Sequence, residues 1–122
     1  MYINKRDLGS YGEDLACSYL ENLNYLIKCK NFSSRNGEID IICFYNNILV
    51  FVEVKSRYNC NFGNPIESIN YSKINSIKRC AQYYLYKNRI MDINIRFDII
   101  EIKFNYNNNN YNLLHTIDAF RM

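Results

Sequence analysis

The sequence predicts an α/β fold in which a mixed β-sheet is flanked by helices, in the order α-β-β-β-α-β-β. Three observations carry this reading. Two apolar runs, Ile39–Tyr45 and Ile48–Val54, stand on either side of Asn46-Asn47. Asparagine tolerates left-handed backbone angles, so the pair fits a two-residue hairpin turn. Two other segments space their apolar residues at helical intervals. The hairpin is also apolar on both faces, and such a sheet needs a covering layer on each side.

The elements follow in chain order. Ser10 to about Leu23 reads as a helix whose apolar stripe is Leu15, Ala16, Tyr19, Leu20 and Leu23. Glu13 precedes Ala16 and Leu20 by three and seven positions and so lies on or beside that stripe. An acidic residue in a first helical turn is ordinarily a partner of the helix dipole; the inward placement makes Glu13 a candidate site residue as well. Tyr25–Phe32 reads as a strand and Ser33–Gly37 as a polar loop leading into the hairpin. A loop from Ser56 to about Tyr71 holds Pro65, the only proline. Ser72 is suited to cap a second helix reaching about Asn88, with Ile74, Ile77, Ala81, Tyr84 and Leu85 facing inward. Lys73, four residues before Ile77, falls on the same side at the helix start. Ile95–Phe104 and Tyr111–Ile117 are two further strands joined through the Asn107–Asn110 turn.

Composition narrows the function classes. A chain of 122 residues suits one domain with a real core, and 48% hydrophobic content marks it as globular. A net charge of +3 permits a nucleic-acid partner without demanding one. The first residues lack the apolar stretch of a signal peptide, and no run approaches a membrane span. Five cysteines without a Cys-x-x-Cys pair read as reduced thiols of a cytoplasmic protein rather than a disulfide frame or zinc site. His115 is the only histidine and reads as structural; it has no second imidazole to share a metal and no nucleophile signature nearby.

The hairpin carries the chemistry. With Asn46 and Asn47 at the turn, Tyr45 faces Ile48, and counting outward Asp40 faces Glu53 and Glu38 faces Lys55. The reverse face is then Ile39, Ile41, Cys43, Val50, Val52 and Val54, all apolar, and a one-residue slip would push the charges into it. Two carboxylates about 5 Å apart repel by roughly 3 kcal/mol at an effective dielectric near 20. A divalent cation between Asp40 and Glu53 offsets both charges, and oxygen donors of this kind suit Mg²⁺ or Mn²⁺. A plain salt-bridge cluster at a strand end, with Lys55 paired to Glu38 or Asp40, is the competing reading.

Asp40, a gap, and Glu53-Val54-Lys55 resemble the PD-(D/E)xK nuclease core, in which two acids and a lysine sit on a hairpin behind a helix bearing a further acid. Gly12-Glu13, Asn31, Gly37-Glu38-Ile39-Asp40, Val50–Lys55, Arg57, Phe62-Gly63, Pro65, Lys73, Ala81 and Arg96-Phe97-Asp98 are similar to the YraN-like family of small bacterial proteins, thought to be related to Holliday-junction resolvases. The resemblance runs from about Gly9 to Ile100. It departs at Ser33, where a basic residue is expected after Asn31, and Arg35 is the available substitute.

The resemblance implies a restriction-endonuclease-like sheet and a set of roles. Asp40, Glu53 and the Val54 carbonyl would hold Mg²⁺ or Mn²⁺, with Glu13 holding a second metal or its waters. Lys55 would orient the attacking water or stabilise developing charge, with Glu38 tuning it. Arg57 and Lys73 would contact phosphates. Apart from the resemblance, Lys78 and Arg79 cluster with them on or near the second helix and are further candidates for nucleic-acid binding, a solvated helix face being the competing reading. Three functions follow: a metal-dependent nuclease on DNA rather than RNA, acting on branched structures; a nucleic-acid-binding module whose cleavage is slow or lost; or an interaction protein with a structural charge cluster. The intact Asp40, Glu53 and Lys55 favour the first. The modest charge and small size favour a partner or a homodimer in each.

Overall fold

Asn46 and Asn47 both adopt left-handed backbone angles, φ 49° and 63°, and close the hairpin where the sequence places it. The computed structural model describes residues 5–58, 70–105, 107–108 and 110–122. The two hairpin strands are β2 (Gly37–Tyr45) and β3 (Ile48–Tyr58), paired in the expected register from Tyr45↔Ile48 to Ile41↔Val52. β1 (Leu26–Ser34) precedes them, and β4 (Asn94–Phe104) and β5 (Tyr111–Phe120) follow. The sheet order is β1-β2-β3-β4-β5, with β3 and β4 parallel and every other neighbouring pair antiparallel. β3 is therefore the central strand. A parallel step needs a crossover, and α2 (Tyr71–Lys87) lies within it.

Each face has its own core. α1 (Lys5–Asn22) lays Leu8, Ala16 and Leu20 against Ile41, Cys43, Val50, Val52, Ile100 and Ile102. α2 lays Ile77, Cys80 and Ala81 against Ile39, Ile42, Leu49, Phe51 and Phe97 on the opposite face. Each large side chain so buried contributes about 1.5–3 kcal/mol. Cys17, Cys43 and Cys80 are buried free thiols, and burial pushes Cys43 up to about 12.

Several element boundaries differ from the sequence reading. α1 starts earlier and stops at Asn22, so Leu23 stays 45% exposed instead of joining the stripe. The reason is Asn24, at φ 71°, which turns the chain and lets Tyr25 N–H reach the Leu20 carbonyl at 3.0 Å. Ser33–Gly37 is not a loop. β1 and β2 run to Ser34 and from Gly37, leaving Arg35-Asn36 as a tight turn, and Gly37 at φ 144° supplies an angle other residues resist. α2 is capped by Asn70, not Ser72: its Oδ1 accepts from Lys73 N–H at 2.7 Å. Ser56–Tyr58 belong to β3, and the rest of the expected loop, with Cys60, Phe62-Gly63 and Pro65, lies outside the described residues.

On the α1 face a buried polar network ties α1, β4 and β5 together with Tyr25, the residue before β1. Asp98 is fully buried, and Arg96 donates to it from Nε and Nη2, both at 2.9 Å. His115 Nε2 sits 2.7 Å from Asp98 Oδ2, and Asp118 N–H donates to Oδ1 at 3.0 Å. Tyr19 on α1 meets the far side of the imidazole at 3.0 Å, and Arg96 reaches Tyr25 Oη at 2.8 Å. Burial alone would raise the Asp98 carboxyl, but the bonds from His115, Arg96 and Asp118 win and hold it below its ordinary value. His115 is structural, as expected. Removing one member of a buried charged pair costs about 3–5 kcal/mol. Asp98→Ala should lower urea-unfolding stability by about that amount; a loss under about 1 kcal/mol would show the network to be incidental.

Candidate active site

The site begins where strand alternation breaks. Lys30 pairs with Asp14 of α1 at 3.0 Å, and Ile41 packs beneath α1, yet Phe32 and Ile39, their neighbours two residues along, pack beneath α2. Between them Asn31 takes a left-handed angle, φ 53°, at the position facing Asp40. Both strands shift phase together, so register survives while the side chains change face. This corrects the expectation that Ile39 shares the reverse face with Ile41.

β2 and β3 part at the same point. Their pairing ends at Ile41↔Val52, and the next free donor, Val54 N–H, goes to Asp40 Oδ2 at 2.8 Å. A regular ladder would have sent that N–H to a β2 carbonyl. The expected Asp40–Glu53 and Glu38–Lys55 ladder pairs therefore do not form. Glu38 is exposed, and its charge is felt at Glu13; the register neighbour of Lys55 is Glu101 of β4.

The two central carboxylates still meet. Asp40 and Glu53 are 7% and 6% exposed. Burial first, then Asp40 through its charge and a hydrogen bond, push the Glu53 carboxyl up to about 8, against the pull of Lys73 and Lys55. Lys73 Nζ, on the first turn of α2, stands 3.7 Å from Glu53 Oε2. Glu13 is raised as well, by burial and then by Asp40, while a hydrogen bond with Asn31 lowers it. Gly12 allows this approach: a Cβ there would run into the Ser56 side chain of β3.

Asp40, Glu53, Lys55, Lys73 and Glu13 are thus gathered around the parting of the hairpin. Among the described residues no three His, Cys, Asp or Glu side chains form a metal-holding group. Asp40 and Glu53 are the buried carboxyl pair, beside the Val54 backbone, and Glu13 feels the Asp40 charge. Arg57 lies half-buried on β3 two residues beyond Lys55; Lys78 and Arg79 lie about 8–9 Å along α2 from Lys73. The bond from Asn31 to Glu13 and the close approach of Gly12 to Ser56 are not legible from the sequence. The one local signal for Asn31 is an asparagine inside an otherwise strand-like run.

The profile of the uncharacterised protein family UPF0102 matches residues 12–102. The chain belongs to the UPF0102 family. It is 51% identical over 120 residues to a UPF0102 protein of Clostridium beijerinckii, covering 98% of this chain and 97% of that one. A UPF0102 protein of Clostridium perfringens is 46% identical over 117 residues, 96% of each chain, and one of Clostridium botulinum is 45% identical over 116 residues, 95% of each. The family read from the motifs as YraN-like is thereby established, and the matched span contains Glu13, Asp40, Glu53, Lys55 and Lys73. No described helix is long and apolar enough to cross a membrane.

The raised Glu53 carboxyl fixes a pH dependence. The folded state keeps a proton that the unfolded chain releases near its ordinary value of 4.5, so this stabilisation is full below that pH and lost as pH rises through about 8. Urea titrations of metal-free protein should show stability falling by a few kcal/mol between pH 5 and pH 8.5. Glu53→Gln should flatten that slope; an unchanged slope would place the titration elsewhere.

Proposed function

We propose that this protein is a metal-dependent nuclease that hydrolyses DNA phosphodiesters, with branched DNA as its substrate. One observation carries the reading: Asp40 and Glu53 are buried side by side where the hairpin opens, with the Val54 N–H on Asp40 at 2.8 Å and Lys73 Nζ 3.7 Å from Glu53. Two under-compensated carboxylates are a hard-oxygen donor set, and that set fits Mg²⁺ or Mn²⁺. Asp40, Glu53 and the Val54 carbonyl would hold the ion, with Glu13 holding its waters or a second ion. When bound, the ion polarises a phosphoryl oxygen and lowers the pKa of a coordinated water.

The protein's own groups do the rest. The Val54 N–H locks the Asp40 carboxylate, so the donor pair is fixed before substrate arrives. Lys55, on the Glu53 side of β3, orients the attacking water or stabilises charge developing on the phosphate. Lys73 balances Glu53 and, with Arg57, Lys78 and Arg79, receives the DNA backbone. One copy carries one such site, so symmetric cutting of two strands takes a homodimer. The free buried thiols suit a reducing cytoplasm. A second reading, a DNA-binding module with slow or lost cleavage, is favoured by the missing third metal-binding side chain among the described residues.

Cleavage decides between them. With Mn²⁺ or Mg²⁺, the protein should nick flapped or four-way DNA, and EDTA should stop it. Lys55→Ala should slow cleavage about 100-fold with DNA affinity nearly unchanged. Asp40→Ala should remove activity and metal affinity together. Folded protein that binds Mn²⁺ and DNA but cuts no substrate would establish the binding-module reading.

A further inference from the structure

The outer face of α2 and the turn after it carry Tyr83, Tyr86, Lys87 and Arg89, which the catalytic reading leaves unused, beside Arg79, which it assigns to the DNA backbone. From Tyr71 to Arg89 the chain has five cations, Lys73, Lys78, Arg79, Lys87 and Arg89, and no acidic residue. Arg79, Tyr83 and Tyr86 are spaced i, i+4 and i+7, which makes them one ridge opposite the buried Ile77, Cys80 and Ala81. Tyr86 is 82% exposed and Tyr83 42%. Tyr83 is not loose: its ring stacks on Phe32 of β1, centroids 6.1 Å apart at 28°, and Lys87 Nζ stands 5.9 Å from the same Phe32 ring. Beyond it, a depression of about 590 Å³ is lined by Tyr83, Tyr86, Lys87 and Arg89 together with the apolar Leu85, Ile90 and Met91.

A single exposed tyrosine means little. Two on one ridge, on a segment whose only charges from Tyr71 to Arg89 are positive, match one polymer well. An acidic protein partner would use the charges and leave the ring faces idle. Duplex DNA also hides the faces of its bases. A single strand offers both phosphates and free π-faces, the combination that stacking platforms bind.

We infer that the outer face of α2 binds single-stranded nucleic acid, with bases stacked on Tyr83 and Tyr86 and phosphates held by Arg79, Lys87 and Arg89. This rests on the nucleic-acid reading of the site and narrows its substrate to strands with an unpaired arm. Lys73, beside Glu53, and Tyr86 are thirteen residues apart on one helix, about 20 Å along its axis. At 3.4 Å per stacked nucleotide that is about six nucleotides between the carboxylate pair and the platform.

The chain contains no tryptophan, so Tyr86→Trp introduces a single reporter at the platform. The titration is run in EDTA, where cleavage plays no part, with twelve-residue oligothymidylate, the matching oligouridylate, a blunt duplex and inorganic polyphosphate. Saturable quenching by a single strand, weakening steeply with salt, is expected, with little from duplex and none from polyphosphate. The tighter of the two single strands identifies the natural one. Adding Tyr83→Ala should weaken binding roughly 5- to 100-fold, and four-residue oligonucleotides should lose the salt-dependent contribution of Lys73. If the folded Tyr86→Trp protein is unquenched by either single strand, or is quenched equally by polyphosphate, the inference is overturned. Metal-dependent cutting of duplex branches would then still stand. Conversely, quenching in a protein that never cuts sinks the nuclease reading alone.

Discussion

The hydrogen bond from Val54 N–H to the Asp40 carboxylate is the contact on which the site depends. A side chain takes the place of a backbone carbonyl, so the ladder between β2 and β3 ends at Ile41↔Val52 and the strands open beyond it. The left-handed Asn31 opposite Asp40 shifts β1 by the same half-pleat, so the sheet stays paired on its outer side while its inner side parts. Glu53 then lies in the opening, next to a carboxylate it would not choose as a neighbour. The helices close the arrangement: α1 brings Glu13 because Gly12 has no side chain, and α2 brings Lys73 on its first turn.

The protein contains its own comparison for what burial does to a carboxylate. Asp98 and Glu53 are both removed from water, on opposite faces of one sheet. Asp98 receives an arginine fork, an imidazole and a backbone N–H, and its charge is held. Glu53 has Lys73 at 3.7 Å and a carboxylate neighbour, and burial with that neighbour holds its proton up to about 8. The first environment stabilises a fold. The second is poor for folding and good for receiving a cation, the imbalance expected of a functional site.

Much of this was legible in the sequence because it is local. The Asn46-Asn47 turn sets the hairpin register, and helical spacing identifies both helices and most of their buried stripes, though not Cys17 and Cys80, and it wrongly adds Leu23. The gathering of Asp40, Glu53 and Lys55 follows from those alone. What the sequence hid comes from long-range competition for hydrogen bonds. Simple counting continues the ladder through Asp40 and Glu53, since alternation assumes that every N–H finds a carbonyl; it cannot foresee a carboxylate winning Val54. The same limit hid the flip of Ile39. His115 looked isolated in the sequence because its partners Asp98 and Tyr19 are 17 and 96 residues away. The capping of α2 by Asn70 in place of Ser72 is a smaller error of the same kind, between two residues of similar propensity.

Thermal melting with and without Mn²⁺ near pH 7.5 asks whether the open hairpin is a cation site. Binding to the native state alone stabilises it by about 2.7 kcal/mol when free metal is a hundred times its Kd. Wild-type protein should gain that stability. Asp40→Asn and Glu53→Gln should start out more stable than wild type without metal and gain nothing from it. A wild-type melting temperature indifferent to Mn²⁺, or variants that respond as wild type does, would contradict the account.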